Sequence, residues 1–204
     1  MIMERLPLYR VEVGDGGVTA VSLVEYPAVE SDFLLLSKEK EKKRLLMSDE
    51  KKHRVLGCVL RADFPIYRVE DDYEYNLVFS RESIEQLSRK MFKSGSFGVN
   101  NAQHTHSKDL SDKLELIQMF IKDSKKGIAP EGFKDIADGS LFAEYQVLDD
   151  DLWKDIEDGK MNGFSVECSI GVVKVDKDEE FVLSAIDRLR NAVREERRRK
   201  EKNS

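Results

Sequence analysis

The stretch "LYRVEVGDGGVTAVSLV" (8–24) decides where the fold begins. Two strand-like runs, 6–13 and 18–24, flank Gly14-Asp15-Gly16-Gly17. Glycine and aspartate adopt the left-handed backbone that tight hairpin turns require, so this pattern predicts a β-hairpin. Downstream, Pro27 disfavours helix at Tyr26, and "EYPAVESDF" (25–33) should continue extended. Residues 1–37 are therefore expected to form an N-terminal hairpin and extended segment. The next run, "KEKEKKRLLMSDEKK" (38–52), alternates charges and holds little apolar surface to offset the entropy of ordering. It is expected to be a charged linker.

From His53 onward the pattern is of many short strands. "HRVLGCVLR" (53–61) is strand-like, and 66–69 and 73–79 form a hairpin pattern around an acidic "EDD" turn. Ser80 is a good N-cap for a helix to about residue 93, with Ile84, Leu87 and Met91 on one face. The segment "SGSFGVNNAQHTHSKD" (94–109) is a polar loop or short strand. Strands are expected over 114–122 and 141–148, separated by the polar loop "DSKKGIAPEGFKD" (123–135). Residues 149–151 cap a short helix that ends at Asp158-Gly159. Asn162-Gly163 then opens the strand "NGFSVECSI" (162–170), expected to run to about residue 175. In 179–202, Val182, Ile186, Leu189 and Val193 recur at helical spacing. The predicted class is mostly β (α+β), a bent sheet or β-barrel ringed by helices, with the main domain at 53–178 and a basic C-terminal helix at 179–204.

The 204 residues are 40% hydrophobic and 36% charged, enough for one domain with a real core. No apolar run approaches the 20 or so residues that cross a bilayer, so no membrane association is expected. "MIMERLPLYR" (1–10) lacks a signal-peptide core because Glu4 and Arg5 interrupt it. Cys58 and Cys168 make no disulfide framework. Residues 187–204 carry eight Lys/Arg against four acids, while the whole chain is −6. An acidic body with a basic tail argues against nucleic acid as the body's ligand and leaves the tail to meet an acidic partner.

The candidate chemistry rests on few residues. Ser165 is a hydroxyl set in the middle of an apolar strand. It is either a satisfied strand serine or a nucleophile, and "GFSVE" is not the Gly-x-Ser-x-Gly elbow of α/β-hydrolases. Strand alternation puts Glu167 on the face of Ser165, as a solvent-facing charge or a partner. A serine nucleophile needs a base. The chain offers His53, His104 and His106, the last two in a polar loop. His-x-His on a strand could aim both rings at one metal, but no third ligand is near and no Cys/His spacing suits zinc. No metal and no cofactor are expected.

In chain order, "AVSLVEYPAVESDFL" (20–34), "GCVLRADFPIYR" (57–68), "YNLVFSRESIEQL" (75–87), "NNAQH" (100–104), "FIKDSKKGIAPEGFKDIADGSLFAEYQV" (120–147) and "LWKDIEDGKMNGFSVECSI" (152–170) resemble segments of the XkdF-like phage serine proteases. These are a branch of the prohead, or capsid maturation, proteases. The resemblance implies a fold similar to the herpesvirus assembly proteases, with serine and histidine on neighbouring barrel strands. It implies a serine endopeptidase that cleaves scaffold and major capsid protein segments, and often itself, inside the prohead in the bacterial host cytoplasm. A homodimer is a further expected partner state. By position, Ser165 is the nucleophile, His104 the base in preference to His106, and Glu167 the candidate third member. Cys168 stands where the family usually has glycine, and a side chain there would narrow the approach of substrate. The alternatives are a catalytically inactive capsid- or scaffold-associated protein that keeps the fold, and an unrelated β-rich binding module.

Overall fold

A computed structural model describes residues 6–29, 34–35 and 53–176. The expected linker 38–52 and basic helix 179–204 lie outside the described residues. What the N-terminal stretch forms is not a hairpin. It is one strand, β1 (Leu8–Val24), of 17 residues. Its partner along the whole length is β10 (Gly163–Lys174), antiparallel from Tyr9↔Lys174 to Val24↔Gly163.

The Gly/Asp cluster makes a bulge. Glu12 pairs with Gly171 and Gly17 with Ser169, so residues 13–16 oppose the single residue Ile170. Such bulges use the same residues as turns, because the surplus backbone must adopt unusual φ and approach its partner closely. Gly14 sits at φ +47. A Cβ on Gly16 would lie 1.8 Å from the Ser169 carbonyl oxygen, which only glycine avoids. Lys90 Nζ donates to the Gly14 and Gly16 carbonyls, each at 2.7 Å, and so satisfies oxygens that the bulge takes out of the ladder.

β1 is the central strand of a six-stranded mixed sheet, not an appendage ahead of a separate domain. Its first residues pair in parallel with β5 (Tyr73–Val78), which forms the expected hairpin with β4 (Ile66–Glu70). Asp71 and Asp72, at φ 46 and 66, make that turn. Its last residues pair in parallel with β6 (Asn100–Ala102), which turns back into β7 (Thr105–Asp109). Helix α1 (Arg81–Ser94) links β5 to β6. Ser80 caps it, accepting from Ser83 N–H, and Gly95 ends it at φ 74; Ile84, Leu87 and Met91 are buried.

The second sheet is antiparallel, in the order β2 (Leu34–Leu35), β3 (Arg54–Leu60), β9 (Leu141–Val147), β8 (Leu114–Ile121). The two sheets share one core, in which Val21 and Leu23 of β1 and Phe164 of β10 lie with the cross-strand pair Val55 and Tyr145. The Tyr145 and Phe164 rings lie 5.3 Å apart, and the Tyr145 hydroxyl donates to Phe97 O at 2.7 Å. Alternation sends Phe142 to the opposite face of β9, where it stacks on Phe120 and meets Phe133 of the long 122–140 segment. Helix α2 (Asp150–Glu157) is capped by Asp149, and its Trp153 stacks on His53 at 4.6 Å. The mostly β, α+β class expected from the sequence is the class observed.

Candidate active site

Two adjoining register relations build a polar row across three strands. Ser22 of β1 pairs with Ser165 of β10 on one side and with Asn101 of β6 on the other. Paired residues share a face, so these three polar side chains line up on the side of the sheet opposite Val21, Leu23 and Phe164. Their exposures are 0% for Ser22, 3% for Asn101 and 6% for Ser165. Glu167, two residues along β10, joins the same face; its side chain is 18% exposed.

Asn162 fixes where β10 starts. Its side-chain amide donates to Glu25 O at 3.1 Å and Gly159 O at 2.9 Å, and its N–H to Val24 O at 2.8 Å. That pins the first residues of β10 to the end of β1 and seats Ser165 on rigid backbone. His104 is placed by a turn. Gln103 and His104 both sit at φ 54, making the tight connection between β6 and β7. Two consecutive left-handed non-glycine residues carry strain that the surroundings must hold. Gln103 N–H donates to Leu23 O at 2.9 Å and Thr105 Oγ1 to Gln103 O at 3.1 Å.

The imidazole meets a hydroxyl, and that hydroxyl belongs to Ser22. His104 Nδ1 lies 3.1 Å from Ser22 Oγ and 3.7 Å from Glu167 Oε1. Ser22 Oγ is 2.6 Å from Asn101 Oδ1 and 3.2 Å from Glu167 Oε1, and Asn101 Nδ2 donates to Glu167 Oε1 at 2.6 Å. These four side chains thus form one network, on the edge of which the half-exposed ring sits. Among the described residues Ser165 Oγ makes no hydrogen bond; it stands beside this network as the cross-strand neighbour of Ser22.

Serine and histidine are therefore not on neighbouring strands, as the resemblance implied. β1 runs between β10 and β6, because its length lets it pair with both, and His104 is in a turn instead of a strand. His106 lies in β7. Among the described residues no group of three His, Cys, Asp or Glu could hold a metal ion. No described helix is long and apolar enough to cross a membrane.

Cys168 does not narrow the approach to Ser165. Alternation along β10 sends it with Phe164 and Val166 toward the core, away from Ser165 and Glu167. Burial pushes its thiol pKa up.

Ser22 and Asn101 were not singled out from the sequence. The signal was present, since Ser22 is a lone hydroxyl among apolar neighbours, as Ser165 is. No family model, curated protein or solved structure matches the chain.

Proposed function

We propose that this protein is a serine endopeptidase of phage capsid maturation, with Ser165 as nucleophile, His104 as base and Glu167 as the carboxylate behind the base. One observation carries the reading: Ser165 and Glu167 of β10 and His104 of the distant β6–β7 turn gather around Ser22 on one face of one sheet. A carboxylate at one ring nitrogen, with a serine on rigid backbone nearby, is the division of roles that acyl transfer needs. Nε2 of His104 would take the Ser165 proton as Oγ bonds to the substrate carbonyl carbon and the C=O π pair moves onto oxygen. Collapse of that adduct would break the C–N bond, and Nε2 would return its proton to the leaving amine. Water would then release the acyl group by the same steps. Scaffold and major capsid protein segments are the proposed substrates, cleaved within the prohead in the host cytoplasm.

The inactive, capsid-associated reading also has an observation in its favour: the hydroxyl that the imidazole meets is Ser22, not Ser165. A fluorophosphonate probe separates the two. It phosphonylates only an activated serine, whose Oγ bonds to phosphorus as fluoride leaves, and the modified peptide is identified by mass. Labelling at Ser165, lost in Ser165→Ala and slowed about 10²–10⁴-fold in His104→Ala, is the expected result. A folded chain that takes no label at Ser165 and cleaves no scaffold would sink the peptidase reading.

A further inference from the structure

We propose that Ser22 is a positioning residue that holds neutral His104 in its Nδ1–H form, leaving Nε2 unprotonated. The tautomer follows from counting protons around the network. Glu167 Oε1 is a carboxylate oxygen and only accepts, so the Asn101 atom 2.6 Å away must be the amide nitrogen. That orients the amide, and it leaves Asn101 Oδ1 facing Ser22 Oγ at 2.6 Å. Two oxygens at that distance need a proton between them, and an amide oxygen has none to give. Ser22 has one proton, and it is spent there.

Toward His104, then, Ser22 Oγ can only accept. The ring nitrogen at 3.1 Å must be N–H, and that nitrogen is Nδ1. The nearby Glu167 Oε1, at 3.7 Å, favours the same proton position. The partner of one ring nitrogen decides which form of imidazole is present. Ser22 is fully buried, so water cannot replace its hydroxyl, and it is itself screened from any substrate. Its effect on chemistry passes through His104: the base keeps its lone pair on the nitrogen that is not turned toward Ser22. The backbone strain at Gln103 and His104 is consistent with a ring held in place for a purpose.

For its catalytic consequence this inference rests on the peptidase reading, and the experiment keeps the two apart. Imidazole ¹⁵N NMR on the full chain, at a pH where the ring is neutral, reads the tautomer without any substrate. The wild-type chain should show a protonated Nδ1 and an unprotonated Nε2. Ser22→Ala should move the proton toward Nε2, and Ser22→Thr, which keeps the hydroxyl, should restore it. Fluorophosphonate labelling of Ser165 should fall about 10²-fold in Ser22→Ala, the low end of what a general base contributes. An Nε2–H ring in the wild-type chain overturns the assignment, and so does an unchanged tautomer in Ser22→Ala. A chain locked at Nδ1–H that never takes label at Ser165 overturns the peptidase reading instead and leaves the lock standing.

Discussion

Gly16→Ala tests whether β1 runs unbroken past β10. The added Cβ would sit 1.8 Å from Ser169 O, 2.8 Å from Ser169 C and 3.3 Å from Ile170 Cα. All three are backbone atoms, so no side chain can swing aside. Ordinary contact requires β10 to retreat by about 1.5 Å, from well inside van der Waals range to roughly 3.4 Å. Overpacking of this kind costs about 1–3 kcal/mol, and each ladder bond lost in the retreat adds about 1 kcal/mol. A total near 3 kcal/mol should lower the Tm by about 6–12 °C for a chain of this size. Gly14→Ala is the control. At φ +47, with nothing within 4 Å of its Cβ position, it meets only the left-handed penalty of about 1–2 kcal/mol. Thermal unfolding followed by circular dichroism gives the two shifts. Hydrogen exchange should show faster exchange at 9–12 and 171–174 in Gly16→Ala alone. Were "GDGG" a hairpin turn, both glycines would be turn residues with similar costs. A Gly16→Ala shift no larger than that of Gly14→Ala would refute the bulge.

Lys90→Met should destabilise by about 1–3 kcal/mol, because it withdraws a charged donor from two bulge carbonyls. Urea unfolding should show a lower midpoint with an unchanged slope, and an unchanged midpoint would mean that water serves those carbonyls as well. Burial raises the Cys58 thiol to about 12, while an unfolded thiol ionises from about pH 8.5. The unfolded state therefore loses its proton first, and stability should fall as pH rises between those values. Cys58→Val should flatten that alkaline limb, and an equal slope in both chains would contradict the assignment.

Elements whose signals are local were legible. Ser80 and Asp149 cap the helices that they announce, and the Asp-Asp pair after Glu70 makes the turn of the β4–β5 hairpin. The path of 8–24 was not legible. A Gly/Asp cluster marks a place where the backbone must adopt unusual φ, and both a turn and a bulge have that need. What separates them is the partner strand. Here the partner lies more than a hundred residues away, and no local pattern reports it. The turn at Gln103-His104 was hidden for a different reason. Tight two-residue turns usually carry Asn-Gly or Asp-Gly, and nothing in Gln-His advertises a left-handed pair.

The same distinction governs the candidate site. Alternation within "NGFSVECSI" was enough to set Ser165 and Glu167 on one face and Phe164 on the other. It could not say which hydroxyl the imidazole meets, because that depends on the register of β1 against β10. A second bulge decides it. Val18 pairs with Cys168 but Ala20 pairs with Glu167, so Thr19 is surplus and its side chain bonds Glu167 O at 3.1 Å. Before this bulge the even residue Val18 shares the core-facing side of Cys168; after it, the even residues Ala20 and Ser22 share the face of Glu167 and Ser165. A continuous ladder through Thr19 would instead set Val21 opposite Ser165 and turn Ser22 into the core, since a one-residue slip exchanges the faces of every following side chain. His104 would then meet an apolar side chain and Asn101 would lose its partner. One surplus residue in β1 thus assembles the polar row, and neither the hydroxyl nor the histidine reveals it in isolation.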